Sequence, residues 1–219
     1  MSVTAWYPWI KAPDAAAVRA AYPAARAGGA HGHVVLRCGF SAEVALKDCD
    51  VVTEAPRGLG FARAALALSK GFQGRPSLLK PKDLEATYIN LAIDLPPPTP
   101  EGTTSYINEP DWTRSLNAIH AAALFPAKAA DARINTGKAV VDCLIDPTGS
   151  LTQCQVVGES PEGMNFGLSA LTAATVMKVN LWTRDGAPTP GAHIKLPITL
   201  VYAGDDKAAA PTAKPAPAG

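Results

Sequence analysis

The chain has 219 residues, 47% of them hydrophobic, with 20 Lys and Arg against 19 Asp and Glu and a formal net charge of +1. That balance leaves no basic stripe for nucleic acid and no polybasic segment for a membrane surface. No apolar run reaches the roughly 20 residues that span a bilayer, and the start, MSVTAWYPWIKAP, lacks the basic end and apolar core of a signal peptide.

In chain order, residues 14–26 read as a weak helix. Val34, Leu36, Cys38 and Phe40 then alternate as one face of a strand. A returning strand carries Cys49 and Val51 on one face. The hairpin register places Cys38 opposite Cys49 and Leu36 opposite Val51. Pro56 and Gly58 punctuate the chain before a helix, where Phe61, Ala65, Leu68 and Phe72 form one buried stripe. Ile89, Leu91, Ile93 and Leu95 alternate as a closing strand. LPPPTPEG, from Leu95 to Gly102, holds four prolines in eight residues and reads as a stiff, extended linker.

The same order then returns. Residues 115–130 are weakly helical, and Val141, Cys143 and Ile145 share a strand face. DPTG (146–149) is a turn signal. Cys154 and Val156 come back opposite Cys143 and Val141. Phe166, Ala170, Ala173 and Met177 repeat the helical stripe, and Leu196, Ile198, Leu200 and Tyr202 the last strand. Pro197 cannot donate to a ladder, so this strand belongs at a sheet edge. A shift of 105 residues aligns the copies, with 12 identities between 34–72 and 139–177. The chain therefore reads as a duplication. The expected fold class is α+β: two tandem helix-β-β-α-β units, each a three-stranded antiparallel sheet with helix packed on one face. The expected boundaries are 1–95, a Pro-rich linker at 96–111, 112–204, and a disordered Ala/Pro-rich tail at 205–219.

Opposed cysteines in a hairpin are close enough to bridge, and both pairs recur at a spacing of 11. Disulfides Cys38–Cys49 and Cys143–Cys154 are the leading reading, which implies an oxidising compartment. Four reduced core thiols are the alternative, with a cytoplasmic home. Zinc is disfavoured, since neither CxxC nor a His/Cys cluster is present.

No catalytic constellation stands out. Gly58-x-Gly60 follows a hairpin and is too loose for a dinucleotide fingerprint. NTGK (135–138) reads as a strand entry. His31 and His33 flank Gly32 without a visible third ligand, and His120 and His193 are isolated. Trp6, Trp9, Trp112 and Trp182 read as packing anchors. The expectation is a non-enzyme with no cofactor and no metal.

Tyr22-Pro23, LKDCDVVTEAPRGLGF, and in the second copy FPAKAA, GKAVVDCLIDPTGSLTQCQVVGESPEGMNFGLSAL and HIKLPITLVY resemble the C-terminal domain of the TonB energy-transducer family. The two hairpin cysteines resemble a two-cysteine subtype. The resemblance covers about 20–95 and 113–203. It implies a periplasmic module that binds an outer-membrane receptor segment by β-strand addition. It points to the third strands: Thr87, Tyr88, Ile89, Asn90 and Leu91, and Ile194, Lys195, Leu196, Ile198 and Thr199. A full transducer of this family resembles a membrane helix, a Pro-rich spacer and one such domain. Two domains with no membrane helix fit an adaptor, or a piece of a longer transducer. The alternative is a structural protein whose sheet edges pair with each other, as in a homodimer.

Overall fold

The computed structural model describes residues 2–4, 6–76, 81–84, 86–100 and 102–202. The predicted tail at 205–219 lies outside them. The chain runs through β1 (Ser2–Thr4), β2 (Trp9–Lys11), α1 (Ala15–Ala21), α2 (Ala24–Ala27), β3 (Gly32–Phe40), β4 (Leu46–Ala55), α3 (Phe61–Ser69), β5 (Gln73–Gly74), α4 (Pro81–Leu84) and β6 (Thr87–Leu95). The second unit follows as β7 (Trp112–Arg114), α5 (Ala118–Ala123), α6 (Ala127–Asp131), β8 (Thr136–Ile145), β9 (Leu151–Ser160), α7 (Phe166–Ala174), β10 (Lys178–Val179) and β11 (His193–Val201).

Each predicted opening helix is two short ones, because a proline interrupts it. Asp14 caps α1, its carboxylate accepting from the Ala17 amide, and the chain breaks at Tyr22-Pro23 before α2. Asn117 caps α5 in the same way through His120, and Phe125-Pro126 separates α5 from α6. Proline supplies no amide to an ongoing helix, so the break is local chemistry. The copies differ in docking: α1 packs on α3, whereas α5 leans on β11.

The strand order is β6-β3-β4 in the first unit and β11-β8-β9 in the second, all antiparallel. The hairpin registers match the sequence reading, with Leu36 opposite Val51 and Val141 opposite Val156. Each hairpin also carries two bulges. One sets Asp48 and Cys49 against Cys38, the other sets Gln153 and Cys154 against Cys143, and both extra residues take positive φ (49° and 50°). The others fall at Val52 and Val157. The bulges bend and twist β4 and β9. Val51 and Val156, expected on the same strand face as Cys49 and Cys154, are 40% and 41% exposed.

Alternation decides the rest. Val34, Leu36, Cys38 and Phe40 of β3 and Ile89, Leu91, Ile93 and Leu95 of β6 share one core with Phe61, Ala65 and Leu68 of α3 and with Phe72 just after it. The second core repeats this with Val141, Cys143, Ile145, Phe166, Ala170, Ala173 and Met177. Tyr202, the last of the alternating set, is exposed and meets Phe125 edge-on at 5.3 Å. Each helix starts over a glycine. A Cβ on Gly32 would sit 2.2 Å from the Phe61 ring, and one on Gly137 2.2 Å from Phe166. Only hydrogen fits there.

Two departures from the three-stranded expectation stand out. The first sheet has four strands, since β1 pairs in parallel with β6. The units also interlock. Leu181 and Trp182, from the second unit, belong to the first unit's core. Trp182 is 2% exposed and packs edge-on against Phe72 at 4.8 Å. Next to it the Asn180 amide nitrogen donates to the Tyr7 carbonyl, and its oxygen accepts from the Trp9 amide. This buried amide is satisfied on both sides, which makes it a specific fastener between units.

Candidate functional site

Both cysteine pairs form disulfides, Cys38–Cys49 and Cys143–Cys154, each with Cα atoms 4.1 Å apart. The buried partners, Cys38 and Cys143, lie on the middle strand, and the bulge turns Cys49 and Cys154 toward them.

The third strands were expected to offer free edges. In the first unit that edge is filled by the chain itself. Thr87, Tyr88 and Ile89 pair with Ser2, Val3 and Thr4. Further along, the carbonyl of Ala92 accepts from the Trp182 indole N–H at 2.9 Å, and the Asp94 amide donates to the Gly186 carbonyl at 2.8 Å. Asn90 accepts from Arg37 Nε through its side chain, and Leu91 is core. The segment that closes the edge is a small hairpin, WTRDGAP (182–188). Trp182 bridges Pro188, the Thr183 amide donates to the Ala187 carbonyl, and Gly186 turns at φ 102°. The Asp185-Gly186 dipeptide is a turn signal the sequence does carry. Its destination, on a strand 90 residues away, has no local signature.

β11 is different. It is the last strand of its sheet, as Pro197 implied. Among the described residues, its outward backbone hydrogen bonds are those of a single parallel bridge at its start, and α5 leans on the strand. There the His193 amide donates to the Ser105 carbonyl, and the His193 carbonyl accepts from the Ile107 amide. Residue 193 thus points both backbone groups outward. In an antiparallel ladder the outward residues alternate, so Lys195, Thr199 and Val201 do the same, and Pro197 offers its carbonyl alone. Ile194, Leu196, Ile198 and Leu200 turn their side chains into the core. Ile194, Lys195, Leu196, Ile198 and Thr199 therefore do lie together on an edge strand.

A polar clasp holds the linker at the start of β11. The Tyr106 hydroxyl donates to Asp142 Oδ2 at 2.9 Å, His193 Nδ1 lies 2.8 Å from Asp142 Oδ1, and Lys195 Nζ sits 5.2 Å from the Tyr106 ring centre. The His193 hydrogen bond, helped by Tyr106 and by the charges of His193 and Lys195, holds Asp142 below the ordinary carboxylate pKa despite partial desolvation. The same Asp142 bond pushes the Tyr106 hydroxyl up. His193 is thus not isolated; a carboxylate 51 residues away meets it across the β8–β11 register. His31 and His33 likewise both turn toward Asp94, at 2.7 and 3.5 Å.

The opposite edges, β4 and β9, are long but broken by two bulges each. Bulges blunt an edge against pairing. Of the four tryptophans, Trp9 and Trp182 are buried packing anchors, and Trp112 packs against the second core. No three His, Cys, Asp or Glu side chains among the described residues form a metal-binding group.

Residues 121–199 match the family model described as Gram-negative bacterial TonB protein C-terminal. The second unit is thus similar to TonB C-terminal domains. The match covers α6 through most of β11, so the terminal strand of the sheet lies within the matched segment. A Caulobacter vibrioides protein described as uncharacterized is 34% identical over 62 residues, which is 28% of this chain and 62% of that protein. TonB C-terminal domains are protein-interaction units associated with outer-membrane transport in Gram-negative bacteria. No described helix of this chain is long and apolar enough to cross a membrane.

Proposed function

We propose that this chain is a periplasmic binding module that captures a protein segment on the outer edge of β11 in the context of outer-membrane transport. One observation carries the reading: of the two third strands, β6 is closed by β1 and by the hairpin of residues 182–188, whereas β11 is the terminal strand of its sheet. Outward N–H and C=O groups at an edge supply affinity through main-chain hydrogen bonds. The first unit, with its edge occupied, acts as the base on which the binding unit is mounted. Disulfides in both hairpins fit an oxidising compartment.

The test is an NMR titration of the full ¹⁵N-labelled chain with an extended peptide from the periplasmic end of a TonB-dependent receptor. Perturbed amides should cluster at 194–201 and spare 87–95. Perturbation of both third strands, or of neither, contradicts the proposal. Dimerisation through β11 in the absence of peptide would favour the self-associating alternative, and size-exclusion chromatography reads it directly.

A further inference from the structure

The hairpin that closes β6 meets backbone groups that have counterparts on β11. The two strands share one register: Ala92 lies opposite Val35 and Asp94 opposite His33, while Pro197 lies opposite Val140 and Thr199 opposite Lys138. Each of these positions is separated from its counterpart by the same 105 residues. On β6 the hairpin uses two backbone groups, the Ala92 carbonyl for the Trp182 indole and the Asp94 amide for the Gly186 carbonyl. At the counterparts, Pro197 keeps its carbonyl and Thr199 keeps its amide.

Proline at 197 takes one donor from the edge, which handicaps a regular extended strand. It removes nothing that this hairpin uses on β6. The apolar wall is kept as well. Trp182 packs on Phe72, which packs on Trp9. Their counterparts are Met177, buried, and Trp112, packed against the same core. A methionine thioether is a favourable surface for an indole.

We infer that the β11 edge takes a tryptophan-bearing β-hairpin tip of a partner protein, with the indole N–H donated to the Pro197 carbonyl and the carbonyl of a turn glycine accepting from the Thr199 amide. The inference rests on the edge-capture reading above and names the chemistry of the segment captured. A hairpin shaped like residues 180–190 presents both groups already in place, so little ordering cost remains at binding.

The probe is a head-to-tail cyclised peptide containing NLWTRDGAPTP, its hairpin verified by NMR, titrated into the full ¹⁵N-labelled chain. Amides of 194–200 are expected to shift, with saturable binding. Replacing the peptide tryptophan by alanine should weaken binding at least tenfold. In the protein, Thr199→Pro removes the outward donor and should abolish binding, while Pro197→Ala should leave the affinity within twofold. An absence of shifts up to the peptide's solubility limit, shifts confined to Ala92 and Asp94, or equal binding by the tryptophan-free peptide each overturns the inference. So does a marked gain with Pro197→Ala, which is the behaviour of an extended strand. If an extended receptor peptide shifts β11 and the hairpin does not, the hairpin inference fails and edge capture stands.

Discussion

The indole N–H of Trp182 donates to the carbonyl of Ala92, 2.9 Å away and 90 residues earlier in the chain. That bond, with Asn180 between Tyr7 and Trp9, makes two similar units into one interlocked body.

Removing the anchor should therefore unfold more than its own loop. Trp182→Ala is expected to cost about 3–5 kcal/mol, the range for a large buried aromatic. Trp182→Phe keeps a ring against Phe72 but leaves the Ala92 carbonyl without its donor, and should cost about 1–3 kcal/mol. Urea denaturation followed by tryptophan fluorescence and far-UV circular dichroism measures both. Separate transitions for the two probes in Trp182→Ala, against one in the wild type, would show the units uncoupled.

The glycines beneath the helix starts give a second expectation. Gly137→Ala would put a methyl group 2.2 Å from the Phe166 ring, and Gly32→Ala would do the same to Phe61. Overpacking of this kind typically costs about 1–3 kcal/mol. Gly158→Ala meets nothing within 4 Å and should stay within about 0.5 kcal/mol of wild type. Thermal denaturation of the three variants decides the ranking.

Reduction should loosen both hairpins. Each bridge closes a separation of 11 residues, for which chain entropy gives roughly 3 kcal/mol. Intact mass under denaturing conditions should be four hydrogens below the reduced value. Denaturation with and without reductant should then differ by no more than about twice that single-bridge figure.

The clasp at β11 should open at both ends of the pH scale. Asp142 has a depressed folded pKa, so its contribution is present above the unfolded carboxylate value and lost as pH falls through the folded one. Tyr106 has a raised folded pKa, so its contribution is present below the unfolded phenol value and lost as pH rises through the folded one. Hydrogen exchange at the Ile107 amide reports the clasp. Protection should fall in strong acid and strong base, and Asp142→Asn should flatten the acid limb while leaving β3 and β4 unchanged.

The turn at 146–149 shows how far local chemistry reaches. Burial works against the charged Asp146, yet the Thr148 hydroxyl and the Ser150 and Thr148 amides bond to it and hold its pKa below the ordinary value. The DPTG signal, the alternation in β3 and β8, the helical stripes from Phe61 and Phe166 and the cysteine register were all legible, because each depends on residues a few positions apart. The bulges at Asp48 and Gln153 were not, since no glycine or turn dipeptide marks them.

What the amino-acid sequence determined by itself is the repeated unit: its periodicity, its hairpin pairing, its punctuating prolines and the edge position of Pro197. What only the tertiary structure decided is which third strand stays open. Backbone edges pair through amides and carbonyls that every residue carries, so no residue of β6 announces that β1 and the hairpin at 182–188 will cover it. The asymmetry arises from order along the chain. The second unit's hairpin lands on the β6 edge of the first, whereas β11 is the terminal strand of its own sheet.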